Sequence, residues 1–248
     1  MSLLLLPLLS LLLRSLSVDI GAQLQSASLK QAVSLSFSTT AVSSLLIVLL
    51  ATPLAYSLSR WHFFGRALLA FVLELPLVLP PLVAGVALLL AFGRNGVFGA
   101  YLARQGWQLT FTPLAVVLAQ IFVAAPLYIR SARLGFASVP KELIEVAQLE
   151  GASENQLFIQ VMVPLAKRAL LTGLVLAWSR ALGELGASLF FAGNIQGRTQ
   201  TIPLAIFVAF ESNLTLMFVL ALLLLLISSL VLLLLRWLGR ERLMLAGL

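Results

Sequence analysis

Glu145-Val-Ala-Gln-Leu-Glu-Gly151, followed after nine residues by Val161-Met-Val-Pro164, is the heart of the only long polar stretch in a chain that otherwise reads as apolar helices. Pro140 suits the first turn of a helix, and Glu142 and Glu145 follow it near the positive helix end. Lys141, Glu142, Glu145 and Gln148 alternate with Leu143, Ile144, Ala147 and Leu149 at helical spacing, which predicts a helix with one apolar face. Gly151 interrupts it. Ser153 and Gln156 then fit a capping box that starts a second helix through Leu157, Phe158 and Val161, and Pro164 begins the exit toward the next apolar run. Helix, glycine turn, helix is therefore expected between two membrane spans.

Working outward, the composition leaves little choice of class. Of 248 residues, 61% are hydrophobic and 10% charged, and the mean hydropathy is +1.08. An ordinary soluble domain is excluded, and an all-α polytopic membrane protein is expected. The apolar runs do not alternate every second residue, which argues against a transmembrane β-barrel. Spans are read at about 36–58, 67–92, 113–129, 169–191 and 214–237, each set against the ~20 residues that cross a ~30 Å core. The run 1–13 is short before Arg14; continued through Leu16 and Val18 it gives a sixth, tilted span with the arginine snorkelling. No basic n-region precedes it, which disfavours a signal peptide. The organisation expected is a short hydrophobic segment and outside linker over 1–32, one membrane domain over 33–236 containing a polar loop at 131–167, and a tail over 237–248.

Charge sets the orientation. Arg60, Arg66, Arg130, Arg133, Lys141, Lys167, Arg168, Arg236, Arg240 and Arg242 fall on one side; Arg14, Lys30, Arg94, Arg104 and Arg198 fall on the other. Lys and Arg accumulate on the cytoplasmic side, so the polar loop and the C-terminus are expected on the cytoplasmic side of the membrane. The net charge of +7 is thus a matter of topology rather than of nucleic-acid binding.

Two features lie within the apolar runs. Arg180 and Glu184 stand four residues apart, on one face if the helix is continuous, and either line a translocation pathway or form a structural salt bridge. Ser179, Gly183 and Ala187 form a small-residue stripe beside them, suited to a tight helix contact. Glu74 precedes Pro76, Pro80 and Pro81, which remove backbone donors and should break or kink that segment, as a gate hinge or as a static bend.

Chemistry beyond transport finds no support in the residues. There is no cysteine, the one histidine (His62) has no carboxylates near it in sequence for a metal site, and no nucleophile–base set is visible. The chain lacks a P-loop signature, so no cofactor is expected in it, and ATP with Mg would be bound by a partner. A secondary transporter or channel using Arg180 and Glu184 is the rival from another class; it would leave the polar loop without a purpose, and no inverted repeat is evident.

The loop resembles the coupling loop of type I ABC importer permeases, whose pattern is Glu-Ala-Ala, three residues, Gly, nine residues, Ile-x-Leu-Pro. Glu145, Ala147, Gly151 and Pro164 are in register, with Val146, Val161 and Val163 as departures. Arg180-Ala-Leu-Gly-Glu-Leu-Gly-Ala187, Gly197-Arg-Thr-Gln-Thr201 and Leu75-Pro-Leu-Val-Leu-Pro-Pro81 are similar to the molybdate-type members of the sulfate/molybdate/tungstate permease group. The resemblance implies the type I permease fold, a homodimer around a central path, two cytoplasmic ATPase subunits that seat the loop, and an extracytoplasmic oxyanion-binding protein. It implies a transport subunit rather than an enzyme, with molybdate as cargo and sulfate or tungstate as alternatives.

Overall fold

The computed structural model describes residues 2–16 and 20–245, and every element among them is helical. The order is α1 (Ser2–Leu16), α2 (Ile20–Leu24), α3 (Ala27–Arg60), α4 (Arg66–Glu74), α5 (Pro81–Phe92), α6 (Gly99–Arg104), α7 (Pro113–Ala137), α8 (Lys141–Leu149), α9 (Glu154–Gln156), α10 (Val163–Leu182), α11 (Gly186–Phe191), α12 (Ile202–Ser212) and α13 (Leu214–Leu245). Four helical stretches are long and apolar enough to cross a membrane: Ala27–Arg60, Pro113–Ala137, Glu154–Leu182 and Leu214–Leu234. A bent pair supplies a fifth, and α1, at 15 residues, falls short of the crossing length.

Helix starts follow from local chemistry. Ser26 caps α3, its Oγ accepting the Leu29 N–H at 3.3 Å. Thr112 caps α7 in the same way for Ala115 at 3.3 Å, with Pro113 in the first turn where its missing N–H costs nothing.

α7 is the central helix, packed against α3 on one side and α10 on the other. Between apolar helices in lipid no hydrophobic force acts, so close approach and interhelical hydrogen bonds hold the bundle. Both are present. Ala132, Gly135, Ala166, Gly173 and Ala177 are buried along the α7–α10 seam. A β-carbon on Gly135 would collide with that of Ala169, and one on Gly173 would stand 2.8 Å from Ser131 Cβ. Ser131 Oγ donates to the Ala169 carbonyl at 2.7 Å. On the other side, Gln120 Nε2 donates to Thr39 Oγ1 and Thr40 Oγ1, both at 3.2 Å and all buried. Thr52 Oγ1 and the Tyr128 hydroxyl share a 2.7 Å bond nearer the loop end.

Several expected spans change shape. The run 67–92 is not one straight helix: α4 and α5 meet at 117° across Leu75–Leu77 and Pro80. Three prolines leave no continuous helical ladder there, as their chemistry predicts. The run 113–129 extends to Ala137. The run 169–191 begins earlier, at the far end of the polar loop, and ends at Leu182, with α11 separate. The small-residue stripe Ser179, Gly183, Ala187 therefore does not lie on one helix. A β-carbon on Gly183 would find only the Ser179 carbonyl, at 3.6 Å. The tight contact is made instead by α11 with α5, where Ala187 Cα would stand 3.0 Å from a β-carbon on Gly85.

The ends of the bundle differ. At one lie the end of α3, the start of α4, the end of α7 and α8–α9. At the other lie the start of α3, α6 and the 193–200 loop, where Gln196 Nε2 donates to Ser28 Oγ at 2.7 Å and Ile202 N–H donates to Ser36 Oγ at 2.7 Å. α13 runs parallel to α3, since Val219 and Leu220 cluster with Leu29 and Ala32, whereas Leu230 and Leu234 reach the level of Leu45 and Val48. The far end of α13 is thus at the loop end. The C-terminal basic residues Arg236, Arg240 and Arg242 and the last residues of the tail lie outside the described side chains, as do residues 1 and 17–19 altogether.

These contacts rank two glycine substitutions. Gly135→Val forces α7 and α10 apart and is expected to cost about 1–3 kcal/mol, enough to lower the yield of monodisperse protein and its melting temperature in detergent. Gly183→Ala is expected to melt within a degree or two of the wild type. Equal melting of the two variants would refute the seam.

Candidate functional site: the helix–glycine–helix loop

The polar loop folds as its residues dictate. α8 starts at Lys141 after Pro140 and ends in a Schellman closure: Gly151 N–H donates to Gln148 O at 3.0 Å and Ala152 N–H to Ala147 O at 3.0 Å. Gly151 takes φ +83, with open space where a side chain would go. Its need for glycine is therefore conformational, not steric. Ser153 and Gln156 form the expected capping box: Ser153 N–H donates to Gln156 Oε1 at 2.8 Å and Gln156 N–H to Ser153 Oγ at 3.4 Å.

The second arm of the loop is not a separate helix. α9 continues through a π-helical turn, Leu157–Met162, straight into α10, so this arm and the span are one rod over Glu154–Leu182. Pro164 sits in the first turn after this widening. A proline inside a helix cannot bond the carbonyl four residues back and its ring crowds that carbonyl, which the wide turn relieves.

The loop is bolted to the bundle by three aromatic rings, of which the sequence pattern pointed only to Phe158. Tyr56 of α3, Phe136 of α7 and Phe158 meet with ring centroids 4.8 Å (Tyr56–Phe158), 5.6 Å (Tyr56–Phe136) and 6.2 Å (Phe136–Phe158) apart. The Tyr56 hydroxyl reaches Glu154 Oε2 at 3.4 Å. Tyr56 stands at the end of an expected span, whereas Phe136 and Phe158 fall within the expected 131–167 loop. On α8, Ile144 is buried and Ala147 half-buried against the core, which fixes the helix. Leu143, Val146 and Leu149 face outward at 46%, 55% and 87% exposure, and Glu145 beside them is exposed too. The helix thus carries an apolar ridge that is held from behind and bare in front, a feature that marks interaction surfaces in general.

Comparison with known proteins now gives this arrangement its setting. Residues 46–243 match the family described as binding-protein-dependent transport system inner membrane component. The chain belongs to this family. It is accordingly a multi-pass component of a transport system in the inner membrane and not an enzyme. Among relatives, it is 45% identical over 181 residues to the probable transport system permease protein NifC of Clostridium pasteurianum, a match covering 72% of this chain and 63% of that protein. It is 44% identical over 182 residues to the putative molybdenum transport system permease protein YvgM of Bacillus subtilis, covering 73% and 80%. A crystal structure of a bacterial ABC transporter involved in import of the acidic polysaccharide alginate contains a chain of the same fold, with TM-score 0.70 at 15% identity, covering 89% of this chain and 82% of that one.

Within this permease the other expected residues fall in two places. Arg180 and Glu184 do pair, but not along one helix: α10 ends at Leu182, and Glu184 lies in the break before α11. One carboxylate oxygen of Glu184 accepts from Arg180 Nη1, the other from the Ala187 N–H at 2.7 Å, and the residue is buried. Both oxygens are committed to joining α10 to α11. Pro81 opens α5 against Gly186, whose β-carbon would lie 2.7 Å from Pro81 Cβ. Glu74, at the end of α4, bonds Arg133 of α7 at 3.0 Å, a partner invisible in the sequence. The bend at Pro76, Pro80 and Pro81 is thus gripped on both sides. Arg198 is exposed, whereas Thr199, Gln200 and Thr201 beside it are buried, and Thr199 Oγ1 accepts from the Ile195 N–H at 2.9 Å.

The conformational reading of Gly151 predicts an order of variants. Gly151→Asn keeps access to the left-handed region and should hold near-normal coupled ATP hydrolysis, whereas Gly151→Val should cost roughly 1–2 kcal/mol locally and slow it several-fold with the complex still assembled. Assembly is read by co-purification. Equal hydrolysis by Val and Asn variants would contradict the role of the turn.

Proposed function

We propose that this chain is the translocation-pathway subunit of an ATP-driven importer of a tetrahedral oxyanion, molybdate foremost. In this reading α8 docks in a groove of a separate ATPase subunit, with Glu145, Ala147, Gly151 and Pro164 shaping the loop, and ATP with Mg is bound there and not by this chain. Two copies enclose the path, two ATPases sit beneath, an extracytoplasmic binding protein delivers the anion, and the loop end with the C-terminus is cytoplasmic. The observation that carries it is the bare ridge of Leu143, Val146 and Leu149 on a helix whose other face is locked to the core. A knob of this kind transmits displacement to α3, α7 and α10 at once. The concentration of Arg60, Arg66, Arg130, Arg133, Lys141, Lys167 and Arg168 at the same end supports the orientation.

Molybdate is favoured over sulfate or tungstate by the molybdenum transport ascribed to the Bacillus relative. Glu184, with both oxygens occupied, argues for a structural lock at the α10–α11 break rather than an ion relay. The bend at Pro76, Pro80 and Pro81 is proposed as the place where α4 and α5 re-aim during gating, since it is the one sharp angle within a span among the described residues.

The test is reconstitution of the chain with its ATPase and binding-protein partners in liposomes. Molybdate should stimulate ATP hydrolysis and accumulate inside at concentrations where sulfate does neither. Stimulation by sulfate alone would reassign the cargo, and ATP-independent accumulation would overturn the importer reading.

A further inference from the structure

We propose that the cleft between α3, α4 and α7 at the loop end is a binding site for the headgroup of an anionic phospholipid. The cleft has a volume of about 390 Å³, and Arg66, Arg130 and Arg133 all line it, with Glu74, Ser59 and Leu134. Glu74 is bonded to Arg133 at 3.0 Å, so one carboxylate answers three guanidiniums. Among the described residues neither Arg66 nor Arg130 has an ion-pair partner. Two positive charges are therefore left around a concave site, the electrostatic complement of a phosphodiester with a net negative head.

Charge alone does not separate a free anion from a lipid; the surroundings do. Leu134, 66% exposed, forms one wall of the cleft. α4 buries none of its residues, and its far side presents Leu68, Phe71 and Val72 uncovered. The turn into α4 carries Trp61, Phe63 and Phe64, all exposed, at the same level as Arg66. Aromatic side chains gather at the depth of lipid headgroups. A small inorganic anion would use the arginines and leave this apolar rim unmatched. A phospholipid uses both, its phosphate among the arginines and an acyl chain along Leu134. Occupancy would tether α4 to α7, beside the bend that follows Glu74. The site does not depend on which solute the permease carries.

The test uses the full-length chain in nanodiscs holding a mixture of phosphatidylglycerol and phosphatidylcholine, with retained lipids counted by native mass spectrometry. The wild type should retain phosphatidylglycerol in preference. Arg66→Gln with Arg130→Gln should weaken that preference roughly twenty-five-fold, because each basic residue near an anionic headgroup contributes about fivefold. Lys141→Gln with Lys167→Gln removes the same charge from the same end but away from the cleft, and should change the preference less than about twofold. Ser59→Glu, which adds a carboxylate at the rim and removes no arginine, should reject phosphatidylglycerol as the double variant does. Equal retention by the cleft and control variants would overturn the site. Displacement of phosphatidylglycerol by millimolar inorganic phosphate would overturn the lipid in favour of a free anion.

Discussion

The seam between α7 and α10 is the constraint on which the rest of this permease depends. In an apolar solvent, burying more leucine gains nothing, so the helices must be held by contact that only small residues allow. Gly135 against Ala169, and Gly173 against Ser131, bring the two backbones together, and the Ser131–Ala169 hydrogen bond fixes their register. α3 is tied to the other face of α7 through Gln120, Thr39 and Thr40. Three helices are thereby joined into one packed unit.

The loop inherits its mechanical character from that body. Because α9 runs without interruption through Leu157–Met162 into α10, the second arm of the loop and the span are one rod. Tyr56, Phe136 and Phe158 close the remaining gap, one ring from each of the three helical rods. The Schellman turn at Gly151 then sets the angle at which the apolar ridge stands out. Local rules for capping and turning, applied at the end of a packed bundle, produce the projecting knob that the proposed coupling requires.

Much of this was legible in the order of residues. The helix start at Ser153, the turn at Gly151 and the break at the three prolines follow from short-range chemistry, and all are seen. Partnerships across the chain were not legible. Glu74 and Arg133 lie 59 positions apart, and Tyr56 and Glu154 lie 98 apart; no local pattern pairs them. Arg180 and Glu184 were paired for an incomplete reason: their spacing assumed a continuous helix, yet the carboxylate reaches the arginine from beyond the helix end while satisfying the first turn of α11. Helices run past the expected spans where polar residues continue them, as at 130–137 and 154–168, because hydropathy marks the membrane and not the hydrogen-bond ladder.

Because the chain has no cysteine, a single one can be introduced at will. The most direct measurement is therefore site-specific cross-linking from Leu149→Cys, at the most exposed point of the ridge, in the complete complex with its ATPase and binding protein present. The account predicts a cross-linked product with the ATPase subunit whose yield changes when ATP is bound. A product with the extracytoplasmic binding protein, or none with the ATPase while the complex stays intact, would contradict it.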